Sequence, residues 1–496
     1  MTEQNIDIIT GDPKKAINKL AIPLIASMFL IFANNIIDSV WVAGLGSQAL
    51  AALGYITPLF MILVGIGNGI GAGANSLISR YIGAENKKAA DNASLHSIIL
   101  SIIISIIVTF IILILLKNIL LIMGASSVLN YGMEYGVIMF AWSFAVLIPP
   151  IIAGAFRAEG DINKATIPMA LTAIINIILD PIFIYQFNLG IAGAAWATGI
   201  AALIGLIIML YWIFIKKETY LTYDFKNFKN QLSMYKDILV VGIPASLEQL
   251  IMAILAIVVN YMLTLTSGPT AVAVYTAGWR IISVGILPAI GVGTAAISVA
   301  GVAYGARNFE NLKVTIRYSV KIGLIASIIV AILINVFSGQ IAYIFAYSET
   351  SSSLLPLISK FLQVMCLFIL FVPFGASAGN VFQGLGKGTT SLILTTLREF
   401  ILVLIFAYLL GFTFNLGEYG IYYGMLLGGL VGSVIAYIYI EYYVKKLIKG
   451  EIIVKKLWTP YTNNWLHPQK TQQIHKQQNK RLQYNLWPTS NTNWNI

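Results

Sequence analysis

The stretch Thr172–Tyr185, TAIINIILDPIFIY, sets a carboxylate and a proline inside an otherwise apolar run. A charged side chain at the centre of a membrane helix costs roughly 2.5 to 3.5 kcal/mol on insertion scales. Such groups therefore face a bundle interior or a wet cavity and mark a pathway. Asp180 is the first candidate functional residue on this ground. Asn176 lies four residues before it, one helical turn away on the same face, so the two side chains can share a ligand. Pro181 has no N–H to give and its ring crowds the carbonyl of residue 177, so the helix is expected to bend beside the acid.

Composition places that stretch in a membrane. Charged residues make up 10% of the chain and hydrophobic ones 58%, with a mean hydropathy of +0.83; a soluble domain does not reach such values. At about 35 residues per pass and connection, 496 residues hold roughly a dozen spans. Met1 to Lys19 is largely polar and the first apolar run then continues to Trp41, too long for the apolar core of a signal peptide. Cys366, the one cysteine, has no intrachain partner and reads as a small packed hydrophobe. The net charge of +11 sits mostly in short connections and the C-terminal tail, which points to membrane topology and not to nucleic acid.

Apolar runs at roughly 18–43, 48–79, 93–123, 128–156, 163–186 and 190–215 give six helices. Six more follow at roughly 237–265, 270–304, 314–346, 353–383, 389–412 and 418–444. The expected organisation is an N-terminal segment 1–17, a six-helix lobe 18–215, a linker 216–236, a second six-helix lobe 237–448 and a polar tail 449–496. From 459 onward that tail has the composition of a disordered segment, with His467 and His475 too isolated for a metal site. Alternate connections carry Arg80, Lys87 and Lys88, then Arg157 and Lys164, then the linker, then Arg307 and Lys313, then Lys387, then Lys445 onward. GLGSQ, GASS, QFNLG, TSGPT, YSETSSS and FTFNLGE, which alternate with them, hold no Lys or Arg. Both termini and the linker are therefore expected in the cytoplasm, with the chain a multi-pass protein of the cytoplasmic membrane. Lys117 and Lys360 stand near the opposite end and are expected to snorkel outward.

The halves repeat. Ile22-Pro23 answers Ile243-Pro244, RYIGAEN at 80–86 answers AYGARN at 303–308, FRAEG at 156–160 answers FQGLG at 382–386, and LGIAG at 189–193 answers LGEYG at 416–420. An even number of spans per repeat gives both halves one orientation, with a substrate cavity between them, which is transporter architecture. The copies differ where the first half has Asp38, Asn176, Asp180 and Thr198; the second half has apolar residues near Val259, Leu402, Phe406 and Met425. Asp38, Asp180 and Thr198 all lie about 10 Å below the outer surface at roughly 1.5 Å per residue, so they can converge. Asn34 and Asn35 border the Asp38 face as possible cavity lining.

Two carboxylates, an amide and a hydroxyl suit a hard cation, and no Cys or His cluster points to a transition metal. Without a bound cation, like charge and low dielectric favour a shared proton, so Na⁺ and H⁺ both remain open. The competing structural reading has Asp180 and Asn176 satisfying only each other and the backbone. The second half has its own submerged charges, Glu248, Arg280, Arg398 and Glu399, expected to pair with one another. Glycines in GIGNGIGAG at 65–73 and GLGKG at 384–388 have no βαβ setting and read as close helix packing. His96 reads as an interfacial polar residue.

Several separate motifs, in order from GDPKKAI at 11–17 to about residue 448, resemble the multidrug and toxic compound extrusion (MATE) transporters, particularly their archaeal branch. They include DSVWVAGLG at 38–46, FRAEGD at 156–161, NIILDPIFIY at 176–185 and AGAAWAT at 192–198. The resemblance implies an all-α fold of twelve membrane helices in two pseudo-symmetric six-helix bundles forming a V. It implies a cation site at Asp38, Asn176, Asp180 and Thr198. Where relatives often carry a tyrosine, four places before the first-helix aspartate, this chain has Asn34.

The expected function is secondary export of amphipathic organic cations in antiport with Na⁺ or H⁺, by a monomer in membrane lipid, with no cofactor and no nucleic-acid partner. Pro181 would let its helix bend. The runner-up is a flippase for a lipid-linked oligosaccharide, whose cavity should be lined by several cations. An intramembrane enzyme would need a catalytic pair or metal cluster that the sequence lacks.

Overall fold

A computed structural model describes residues 2–346, 352–452 and 454. The tail from 459 to 496, His467 and His475 included, and most of YSETSSS lie outside the described residues. Ten helices are long and apolar enough to cross a membrane, and the pair Ser126–Ala141 and Ser143–Ala158, bent by 43°, makes an eleventh span. The 74-residue helix Leu232–Gly305 is broken at Gly268 (φ 71°, ψ −164°), just before Pro269, so the described residues hold twelve.

Spans one to six are Pro13–Ala43, Ser47–Gly83, Lys87–Ile122, the bent pair, Ile162–Gln186 and Gly190–Lys216. Spans seven to twelve are 232–267, 269–305, Phe309–Val336, Ser352–Ile369 continued by Val372–Gly384, Gly388–Thr413 and Gly417–Ile448. The polar N-terminal segment carries a helix, Thr2–Thr10, that buries Ile9 and lays the Asn5 carbonyl beside Gly160.

Backbone conformation shows the repeat more sharply than side chains do. Left-handed residues recur in pairs at Gly46 and Gly268, Glu85 and Arg307, Gly160 and Gly386, Asn188 and Asn415, Gly190 and Gly417. Each pair marks the same turn in the two halves. In GAEN and GARN the left-handed residue is followed by Asn86 or Asn308, whose side chain accepts from the N–H three residues on and caps the next span. A π-helical turn closes span five at Ile182–Gln186 and span eleven at Leu409–Thr413. The first of these turns follows directly on Pro181, and in it Phe187 N–H bonds back to Ile182 O.

Each half has its own core, around Leu53, Ile56, Leu116 and Phe140 in the first and around Ile282, Phe361, Leu362 and Ile369 in the second. Span three turns Ile106, Phe110 and Ile114 outward at 63%, 67% and 59% exposure, as a lipid-facing surface should.

The glycines of span two join the halves. Gly67 and Gly71 sit on Leu147 and Pro150 of span four, while Gly65, Gly69 and Gly73 sit on Gln249, Ser246 and Ile238 of span seven. Alternate glycines thus serve opposite neighbours, and a Cβ at Gly69 or Gly73 would overlap the partner. Nearer the end that carries the linker, Gly83 meets the Val302 carbonyl, Ser79 meets Gly301, and Ser76 Oγ donates to Gln383 O. Asn75 Oδ1 accepts from Ser298 Oγ at 2.9 Å. Span one joins in through Ile25 on Gly291. All these contacts lie in the linker-side half of their spans. Toward the far side Phe29, Ile36, Met61, Met252 and Ile257 are exposed, and the halves part as a cleft.

The 216–236 linker is fastened to the first half. Asn92 exchanges two hydrogen bonds with Lys229 backbone (2.9 and 3.2 Å), Gln231 N–H donates to His96 Nε2 at 2.9 Å, and Leu221 N–H donates to Glu159 Oε2 at 3.0 Å. The reading of His96 as interfacial is corrected: it is fully buried between Phe228 and Tyr235.

Candidate cation site in the first half

Spans one, five and six bring their polar side chains to one point. Asn34 Nδ2 donates to Asn176 Oδ1 at 3.0 Å, and Asn176 Nδ2 donates to Asp180 Oδ1 at 2.9 Å and toward Thr198 Oγ1 at 3.4 Å. Thr198 in turn donates to Ala194 O at 3.0 Å. Asp180 is fully buried and Asn176 is 2% exposed. Asp38 stands within hydrogen-bonding reach of Asp180.

Two carboxylates only accept, so neither can satisfy the other without a proton or cation between them. Asp38 Oδ1, Asp180 Oδ2 and Asn34 Oδ1 are buried oxygens with no hydrogen-bond partner. Three such acceptors in one network are expensive to leave bare, and carboxylate, amide and hydroxyl oxygens are the donor set of a hard cation. Among the described residues no group of three or more His, Cys, Asp or Glu forms a metal cluster.

Asn35 stays apart: its Nδ2 donates to Ile31 O on its own helix at 2.8 Å and the residue is exposed. Two neighbours were not read from the sequence. Tyr135 of span four, 4% exposed, lies within electrostatic reach of both Asp38 and Asp180; as one of 25 tyrosines it carries no signal of its own. About one turn toward the far side, Tyr185 Oη donates to Trp41 O at 2.6 Å with the two rings edge to face, closing spans one and five above the acids.

The second half offers no counterpart. Val259 and Met425, fully and almost fully buried, belong to its hydrophobic core. The expected mutual pairing of its four charges holds for Arg398 and Glu399 and fails for Arg280. Arg398 and Glu399 pair at 2.8 Å, but Glu248 accepts from neutral Ser391 (2.7 Å) and Gln383 (3.2 Å). Arg280 is exposed on another face, because span eight turns a different side to the core than to the first half.

The MatE family model matches residues 23–182 and 244–409, both halves of the chain. The multidrug export protein MepA of Staphylococcus haemolyticus (strain JCSC1435) is 27% identical over 393 residues, 78% of this chain and 85% of the relative. A crystal structure of MATE in complex with MaL6 shares 36% identity over 90% of this chain and 99% of its own, with a TM-score of 0.88. An outward-facing conformation of a multidrug resistance MATE family transporter of the MOP superfamily shares 36% identity with the same coverage and a TM-score of 0.87.

Proposed function

This chain belongs to the MatE family, and from that premise we propose that it exports amphipathic organic cations in antiport with Na⁺ or H⁺ by alternating access. The observation that carries the coupling is the trio of unsatisfied oxygens on Asn34, Asp38 and Asp180. A cation or proton there relieves the repulsion between the two carboxyls and draws spans one and five together. Linkage then requires the ion to bias the same lobe motion that releases substrate. The linker side carries the Lys- and Arg-rich connections and is the cytoplasmic side on this reading. With contacts confined to that side, the conformation described is open outward. Met61 and Met252, exposed beyond the Gly65–Gln249 contact, supply adaptable apolar surface for varied substrates.

Efflux from membrane vesicles under imposed Na⁺ and H⁺ gradients, each collapsed in turn, identifies the ion. Asp38→Asn and Asp180→Asn should each abolish gradient-driven efflux; unchanged efflux in both would remove the site.

A further inference from the structure

Arg280 differs from the other submerged charges of the second half. Glu248, Arg398 and Glu399 are held by partners, whereas no hydrogen bond or ion pair holds Arg280 among the described residues. It is exposed, yet it lies eleven residues beyond Pro269, roughly 16 Å along the helix at 1.5 Å per residue. An arginine side chain reaches about 7 Å, too short to snorkel to the far surface. A guanidinium at that depth needs water or a counter-charge beside it.

The helix decides where it points. Gly291, eleven residues on, is rotated from Arg280 by only about 20°, and Gly291 sits against Ile25 of span one. The face of span eight that bears Arg280 therefore looks at span one. Because the halves part toward the far side, at the depth of Arg280 that face looks into the cleft. Ile36, likewise eleven residues from Ile25, stands on the facing wall and is 52% exposed, and Phe29 is 39% exposed.

The cleft thus sets an open guanidinium against an apolar wall. Arginine binds planar oxyanions through two parallel N–H bonds. We propose that Arg280 is a specificity-determining residue that receives the acidic group of an amphipathic substrate, so that acid-bearing amphipaths are taken in preference to their esters. The inference rests on the export reading above and narrows its substrate class to molecules that carry a carboxylate or similar acid alongside their apolar, cationic body.

A rhodamine free acid and its methyl ester are matched probes, differing in that one group. In vesicles, Arg280→Gln should lower efflux of the acid about tenfold or more relative to the ester, the loss expected for a hydrogen bond to a charged group, while Arg280→Lys should retain part of the preference. Undiminished ester efflux by Arg280→Gln also shows that the variant folds. Equal loss for both dyes, or no change in either, would overturn the assignment. If the unaltered protein moves neither dye, the export reading fails instead. The same pair titrated into purified protein by fluorescence polarisation then decides on Arg280: a preference for the acid that Arg280→Gln removes supports the site, and its absence overturns it.

Discussion

Asn34 donates to the Asn176 carbonyl at 3.0 Å and so ties span one to span five across 142 positions of sequence. The Asn176 side chain is then fully used, since its amide nitrogen serves Asp180 and Thr198. An amide at position 34 thus orients the residue that orients the acid.

Asn34→Leu removes that donor and leaves a buried carbonyl unpaired, at a cost of about 1–3 kcal/mol. Thermal melting should fall, and the melting shift produced by adding Na⁺ or by acidification should shrink. A full cation-dependent shift in the variant would detach Asn34 from the site.

Arg398 and Glu399 form a nearly buried pair at 2.8 Å. Arg398→Ala leaves Glu399 without its cation, a loss of about 3–5 kcal/mol, and folded yield should drop sharply. Arg398→Ala with Glu399→Gln should recover much of it. Recovery of yield is read by size-exclusion chromatography, and a single variant that expresses like the parent would show that the pair is dispensable.

Glu159, in the connection after span four, is 1% exposed and accepts from Leu221 N–H. Burial pushes its carboxyl up to about 8. A raised carboxyl binds its proton more tightly folded than unfolded, so its contribution is full below the usual value of 4.5 and is lost as pH rises through about 8. Melting temperature should therefore decline between these limits, and Glu159→Gln should flatten that decline. Equal slopes in both proteins would contradict it.

Gly83 of span two lies against the Val302 carbonyl of span eight with no room for a Cβ. Gly83→Val should wedge the linker-side ends apart and shift the population toward opening on that side. Spin-label distances between the ends of spans two and eight should lengthen by several ångströms; an unchanged distribution would mean that the interface relaxes locally.

Asp180 and Asn176 were legible because four-residue helical spacing and a charge in an apolar run need no partner to interpret. Matching depths then brought Asp38 and Thr198 to the same layer. The repeat was legible in RYIGAEN and AYGARN because a left-handed turn followed by a capping asparagine leaves a local signature. Tyr135 was invisible, since its meaning lies in two acids on other helices. So were the partners of His96 and Glu159, which are backbone groups of a linker whose own composition says only that it is polar.

The sequence by itself determined which residues are submerged, how deep they lie and that the two halves share one design, since hydrophobic runs and hydrocarbon thickness both act along the chain axis. Only the tertiary structure decided which way each submerged group faces. Rotation of a helix about its axis is set by its neighbours, and it is rotation that hands Asp38 to Asp180, Arg398 to Glu399, and leaves Arg280 to the cleft.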